Sequence, residues 1–494
     1  MAVQRRAMLK GCAAAVAVPI VGTACSRNAD GKPVDALVFD PDGFTVETKT
    51  VATFERDKKV TYRFYRGIVY VAEPVDEAYQ SLNISVPVEV DGTPVDASKA
   101  PILFSNSVGG YLSSSVTSSE PQGSGDGGDR SRNTDLALVA GYVVVESGAR
   151  GRELVAEDGT YYGVAPAAIV DLKAAVRYLR HNSGRVPGNT DRIVTTGVSA
   201  GGALSALVGA SGDSRLYDRY LAELGAADAS DAVFASACYC PITDLEHADM
   251  AYEWNWGANP LSSGELDPAV SRELSRAFVD YQASLGLQGK DGFGPITADD
   301  YGRYLVRTYL QPAATAYLTE LGAAERSSYL ADNTWITWAG DRAEFPWQDF
   351  LVHVGQRKKN APAFDAFDLS TGENNLFGAG TTKARHFTLY SVRRATGDAA
   401  AQLDRDLPEK ITMMNPMQFI GQKNPARAKN WWIRVGTNDT DTSLTIVGNL
   451  AAGLENLGDA VDAAMYWDAG HGSNEDPEDF IEWIGEVTGY SLTR

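Results

Sequence analysis

Gly197-Val198-Ser199-Ala200-Gly201 is the stretch whose residue types and spacing point most directly to chemistry. A serine flanked by glycines two positions either side suits a sharp turn from a strand into a helix. The preceding Ile193-Val194-Thr195-Thr196 reads as a buried strand, and the run from Ala203 to Ala210 as a helix of small residues. Gly197 and Gly201 are required there because a Cβ at either position would meet the crossing backbone. The turn lifts the Ser199 hydroxyl clear of the sheet at a helix N-terminus, where it can attack an acyl carbon. With 48 glycines in 494 residues the bare motif carries little; the strand before it and the helix after it give it weight. The alternative is a glycine-rich turn with an incidental serine.

Serine is a weak nucleophile until a base takes its proton. In this kind of turn the partners follow in the order serine, acid, histidine. Of five histidines, His181 precedes the serine and His247, His353 and His386 fall in the middle third. His471 lies in Asp468-Ala469-Gly470-His471-Gly472, just past the last strand, where flanking glycines let a loop set its ring. The acid is expected after the preceding strand. Gly436-Thr437-Asn438-Asp439 places Asp439 three residues beyond the glycine that ends Trp431–Val435, and Asp441 is the alternative two positions on. Two backbone donors must hold a developing oxyanion. Ala200 N–H supplies one; the other is expected from Asn106-Ser107-Val108-Gly109-Gly110, at Gly110 or Gly109.

The elements that must carry these groups alternate. Ile102–Phe104, Leu138–Val145, Ile193–Thr196, Val233–Cys240, Trp431–Val435 and Ala463–Trp467 read as strands. Ala165–Asn182 reads as a helix, with Ile169, Leu172, Val176 and Leu179 on one face at steps of three and four. Such alternation predicts an α/β fold, a mostly parallel sheet with helices on both faces. Ser113–Asn133, rich in Ser, Gly and Asp, is expected to be a mobile loop. Four segments result: an export signal over 1–25, a first core part over 26–244, an inserted, mainly helical lid over 245–397, and a second core part over 398–494.

Composition bounds the function. Hydrophobic content of 44% and charged content of 22% are ordinary for a globular protein. A net charge of −20 repels phosphate backbones and argues against a nucleic-acid partner. Arg5-Arg6 followed by an apolar run from Cys12 to Val21 resembles a twin-arginine export signal. Gly22-Thr23-Ala24-Cys25 resembles a lipoprotein cleavage box, so a membrane contact is expected only through a lipid on Cys25. Cys238 and Cys240 sit two apart on one strand, too far for a relaxed disulfide, and read as two buried free thiols rather than a metal pair. No zinc-type spacing is present, and neither metal nor organic cofactor is expected.

Together these residues resemble the bacterial tannases, the tannin acyl hydrolases of the α/β-hydrolase superfamily. The blocks are Asn106–Tyr111, Gly148–Arg152, Ala165–Ser211, Ala237–Trp256, Lys358–Gly378, Arg434–Ser443 and the His471 loop; the more specific ones are Cys240-Pro241-Ile242-Thr243, Pro362-Ala363-Phe364-Asp365 and Glu373-Asn374-Asn375-Leu376-Phe377-Gly378. The resemblance implies a small-molecule galloyl ester as substrate. It implies that Lys359 (or its neighbour Lys358), Glu373 and Asp441 contact the ring hydroxyls, leaving Asp439 to serve His471. Read without it, Lys359 belongs to a charge run with Arg357 and Lys358 on a solvated face, Glu373 forms a turn, and Asp441 caps the next helix. The competing functions are a feruloyl or general aryl esterase with the same triad, a peptidase of the same fold, and a binding protein on a hydrolase scaffold.

Overall fold

The computed structural model describes residues 37–117 and 131–492. The expected export signal, with Cys12 and Cys25, lies outside the described residues. The chain forms strands β1 (Thr45–Val51), β2 (Lys58–Val69), β3 (Ser81–Val90), β4 (Thr93–Pro94), β5 (Pro101–Asn106), β6 (Val143–Ser147), β7 (Asn189–Val198) and β8 (Ala235–Tyr239). Two short hairpins follow, β9 (Gln288–Gly289) with β10 (Gly294–Pro295) and β11 (Thr337–Ala339) with β12 (Arg342–Glu344); the last strands are β13 (Asn430–Gly436) and β14 (Ala460–Tyr466). The main sheet has ten strands in the order β1-β2-β3-β6-β5-β7-β8-β13-β14, with β4 beside β3. Its first strands are antiparallel, up to the β3–β6 pair, and the six from β6 to β14 run parallel.

Successive side chains on a strand face opposite ways, and here both faces are apolar. On β5, Ile102 and Phe104 enter one core while Leu103 enters the other; Val143, Val145 and Val144 divide the same way on β6. Helices Ala167–His181 and Ala200–Ala210 cover the first face, and Ser131–Val139 and Pro477–Thr488 the second. Ile169, Leu172, Val176 and Leu179 are fully buried, as their spacing predicts. A parallel sheet covered on both faces is the α/β-hydrolase architecture the sequence led us to expect.

The differences from the sequence reading that change an element's type lie before β6. Ser131 opens a helix rather than closing a loop, and Leu138 belongs to that helix rather than to β6. Leu136, Ala137 and Leu138 are buried against the second core, and Gly141, at φ +83°, turns the chain before β6 begins at Val143. The apolar run Leu138–Val145 thus mixes a helix end with a strand, which periodicity over so few residues does not separate.

The chain leaves the sheet after β8 and returns at β13, which pairs with β8 directly. The excursion holds helices Leu245–Trp256, Pro268–Leu285, Ala298–Leu305, Gln311–Glu320, Ala323–Asp332 and Trp347–Val354, then Gly372–Leu376, Leu389–Thr396, Leu407–Met413 and Pro416–Gly421. Its anchor is an ion pair with both side chains fully buried: Arg357 meets Glu253 of helix Leu245–Trp256 through both guanidinium nitrogens. Arg357 is therefore no part of a solvated charge run. Removing one partner of such a pair leaves an unpaired buried charge, so Arg357→Met is expected to cost about 3–5 kcal/mol. Urea unfolding checks this; a midpoint equal to that of the parent would contradict it.

Candidate active site

Ser199 sits between β7 and helix Ala200–Ala210 with φ 61° and ψ −121°, a conformation a side chain rarely adopts. Its neighbours explain how the turn stays so tight. A Cβ on Gly197 would lie 2.4 Å from Gly201 O, and one on Gly201 would lie 2.8 Å from Val108 O. The buried Asn106 amide completes the turn, its Nδ2 donating to Thr196 O and Gly201 O at 3.2 Å each and to Ser205 Oγ at 3.1 Å. Asn106 thereby ties the loop after β5 to the serine turn. Ala200 is the first residue of the helix and its N–H has no intrahelical acceptor. Gly110 follows in the same loop with φ +55°, and Arg152 Nε donates to its carbonyl at 2.7 Å.

His471 reaches this turn from the far side. Its Nε2 lies 2.8 Å from Ser199 Oγ and its Nδ1 lies 2.8 Å from Asp439 Oδ2. Asp439 is fully buried, and its other oxygen accepts the Asp441 N–H at 3.0 Å. The strand end is close against the histidine loop: a Cβ on Gly436 would fall 2.1 Å from Ala469 O, so only glycine fits. The loop itself is pinned at Asp468, which accepts from Tyr329 OH at 2.6 Å and lies 2.5 Å from His353 Nε2. Trp467 Nε1 donates to the same Tyr329 hydroxyl at 2.8 Å.

Burial alone disfavours an imidazolium, yet the hydrogen bond to Asp439, with Cys240 beside the ring, raises the His471 pKa above its ordinary 6.5. Only a neutral ring could accept a proton from the Ser199 hydroxyl 2.8 Å away. As pH falls through the raised pKa the ring protonates and that form is lost. The acid limb of kcat/KM is therefore expected to have its midpoint above 6.5, and Asp439→Asn to move it down. A midpoint at or below 6.5 in the parent protein would contradict this.

Helix Leu245–Trp256 holds the loop that bears both acids. Tyr252 OH donates to Thr440 O and Trp256 Nε1 to Thr442 O, each at 2.7 Å, while Asn255 Oδ1 accepts from Leu444 N at 2.8 Å. Ser443, not Asp441, caps helix Leu444–Asn456, its Oγ accepting from Thr445 N. The Asp441 carboxylate instead meets Lys358 Nζ at 2.9 Å. Successive side chains diverge along this segment, and Lys359 Nζ turns onto the Phe364 ring, 3.8 Å from its centroid. Of the two lysines the sequence reading offered for the ring hydroxyls, Lys359 and its neighbour Lys358, it is Lys358 that stands beside Asp441.

Glu373 belongs to helix Gly372–Leu376, whose cap is Thr371, with Oγ1 accepting from Asn374 N at 3.3 Å. The Glu373 carboxylate is half-buried, lies near Tyr111, and among the described residues makes no hydrogen bond or ion pair. Beneath it Asp365 accepts from Asn374 Nδ2 at 2.7 Å and from Thr388 N at 2.8 Å, with His386 Nδ1 2.7 Å away. Asp249, which accepts from Phe364 N and Asp365 N, has its pKa pushed up to about 7 by burial and by Asp365. This buried network fixes the turn that presents Glu373. Sequence reasoning gave no role to Asn106, Tyr252, Asp468 or Arg357, although Asn106 and Asp468 fell in stretches already marked for chemistry.

A parallel α/β sheet carrying a serine on a strained strand-to-helix turn, hydrogen-bonded to a histidine, belongs to the carboxylic ester hydrolases. A family model described as BD-FAE matches residues 140–268. No curated protein matches the chain. Among solved structures, a tannin acyl hydrolase in complex with ethyl gallate is 38% identical, covers 92% of this chain and 99% of its own, and superposes with a TM-score of 0.79. The native tannin acyl hydrolase from Lactobacillus plantarum is 37% identical over the same shares, with a TM-score of 0.78. The Fusobacterium nucleatum tannase is 35% identical, again over 92% of this chain and 99% of that one, with a TM-score of 0.76. The chain belongs to the tannase family.

Proposed function

We propose that this protein is a serine esterase that hydrolyses galloyl esters to gallic acid and an alcohol through an acyl-enzyme on Ser199. The observation that carries the reading is the unbroken chain from Ser199 Oγ through His471 to Asp439, each link 2.8 Å. Ser199 attacks the ester carbonyl as His471 takes its proton, and Asp439 holds the ring's tautomer and stabilises the imidazolium. The N–H groups of Ala200 and Gly110 receive the oxyanion, each such donor being worth roughly 3–4 kcal/mol in the barrier. His471 returns the proton to the leaving alcohol, and water then releases the acid by the same route.

Substrate recognition falls to three charged groups. Glu373 and Asp441 only accept when ionised and Lys358 only donates, a set that suits three adjacent ring hydroxyls. The Lys358–Asp441 pair opens to admit them, and the Glu373 carboxylate, which has no hydrogen bond among the described residues, gains a donor. A relative bound to ethyl gallate supports the ring class. The arginine pair and apolar run near the N-terminus support export, with Cys25 as a lipid site. Rapid quenching of the reaction with methyl gallate tests the covalent step: intact mass is expected to rise by one galloyl group, located on the Ser199 peptide. A burst of product with no such adduct, or an adduct elsewhere, would overturn it.

A further inference from the structure

Cys240 heads the Cys240–Thr243 stretch, and the esterase reading gives it no task. It follows β8 at φ 38°, its N–H donates to Arg434 O at 2.6 Å, and the residue is 2% exposed. Its sulfur lies beside the catalytic ring: Cys240 Sγ, a carboxylate oxygen of Asp439 and a ring nitrogen of His471 all fall within 4.8 Å of one another. Among the described residues no other three groups of this kind converge so closely. Cys238, two residues earlier, faces Ser236 and the core, and burial pushes its thiol up to about 12.

One thiol, one imidazole and one carboxylate are donors that zinc accepts, with a fourth position left for water. Bonds of ~2.0–2.3 Å bring such donors to about 3.3–3.8 Å apart, so closing on an ion requires a shift of roughly an ångström. Gly470 and Gly472 (φ +83°) flank His471, so the shift falls to this segment, beyond the anchor at Asp468. We propose that Cys240, Asp439 and His471 form a site for Zn²⁺ or another thiophilic divalent cation, and that the bound ion switches the esterase off. The inference rests on His471 being the base. As the metal–sulfur bond forms, the Cys240 thiol releases its proton to solvent, and a ring nitrogen gives its lone pair to the metal. If that nitrogen is Nε2, the acceptor for the Ser199 proton is occupied. If it is Nδ1, the ring's single proton is confined to Nε2. Both leave Ser199 without a base. Mg²⁺, which prefers oxygen ligands, is not expected to substitute.

The full chain titrated with Co²⁺ under anaerobic conditions reads binding without any substrate. A thiolate-to-cobalt charge-transfer band saturating near one equivalent is expected, kept in Cys238→Ser and lost in Cys240→Ser and Cys240→Ala. In parallel, Zn²⁺ is added during turnover of an activated aryl acetate, a substrate that does not depend on the galloyl reading, and each variant is compared with its own metal-free rate. The parent and Cys238→Ser are expected to lose roughly a hundredfold or more, the scale of a lost general base, with recovery on adding a chelator. The Cys240 variants are expected to lose less than a few-fold. Absence of the band, or equal inhibition of the parent and both Cys240 variants, would overturn the proposal. A band without inhibition would keep the metal site and overturn the switch.

Discussion

Ser199→Ala is expected to lower ester hydrolysis by about 10⁴- to 10⁶-fold and to leave the fold in place. The size follows from the role proposed for the hydroxyl: as the atom that would bond to the acyl carbon, it has no neighbour to replace it. The fold survives because the turn is held by other groups. Alanine keeps the Cβ that already tolerates φ 61°, Asn106 still binds Thr196 O and Gly201 O, and Ser199 N still donates to Tyr239 O at 2.9 Å. The hydroxyl contributes one hydrogen bond, to His471, whose loss is worth about 1 kcal/mol or less. Initial rates and a thermal melt, taken together, check both halves. A residual rate within tenfold of the parent would place the nucleophile elsewhere, and an unfolded variant would show that the turn depends on the serine hydroxyl.

The second large effect separates the two aspartates that stand two residues apart after β13. Asp439→Asn is expected to cost about 10⁴-fold on every ester, because an amide at that position favours the wrong tautomer of His471. Asp441→Asn is expected to act on hydroxylated rings alone, lowering kcat/KM for a gallate ester by roughly 10- to 100-fold while sparing an unsubstituted benzoate. The environments motivate the split. Asp439 is fully buried, with its oxygens shared between His471 and the Asp441 N–H. Asp441 is partly exposed and faces Lys358, whose side chain is 58% exposed. That exposed pair contributes little to stability, so Asp441→Asn should melt with the parent. Equal losses on gallate and benzoate from Asp441→Asn would show that the second acid supports the first rather than the ring.

The serine, acid and histidine that meet within hydrogen-bond distance were legible because their constraints are local. Gly197 and Gly201 announce a turn no larger residue can make, and the order serine, acid, histidine follows from the order of the strands. Gly436, three residues before Asp439, marked the strand end, and its reason emerges only from Ala469 O lying where a Cβ would be. What stayed hidden depends on contacts between distant parts of the chain. Tyr252 reaching Thr440, Arg357 reaching Glu253 and His353 reaching Asp468 each join positions about a hundred or more residues apart. Nothing in the local pattern of either partner signals the other. The lysine pair shows a finer limit. Adjacent side chains point different ways, and which one faces Asp441 is decided by how Arg357 seats the backbone, with Nε donating to Lys359 O at 2.8 Å. The helix at Ser131 was hidden for another reason: its burial is set by Phe480 and Ile484 of the last helix, not by its own weak periodicity.

The most direct measurement is hydrolysis of methyl gallate and methyl benzoate by the purified protein, with Ser199→Ala as blank. A site that reads ring hydroxyls through Glu373, Asp441 and Lys358 leaves charges without partners when the hydroxyls are absent, and a preference for gallate approaching 10⁴-fold in kcat/KM is expected. Comparable rates on the two esters would contradict the account, leaving a general aryl esterase in which Glu373 and Asp441 have no part in choosing the substrate.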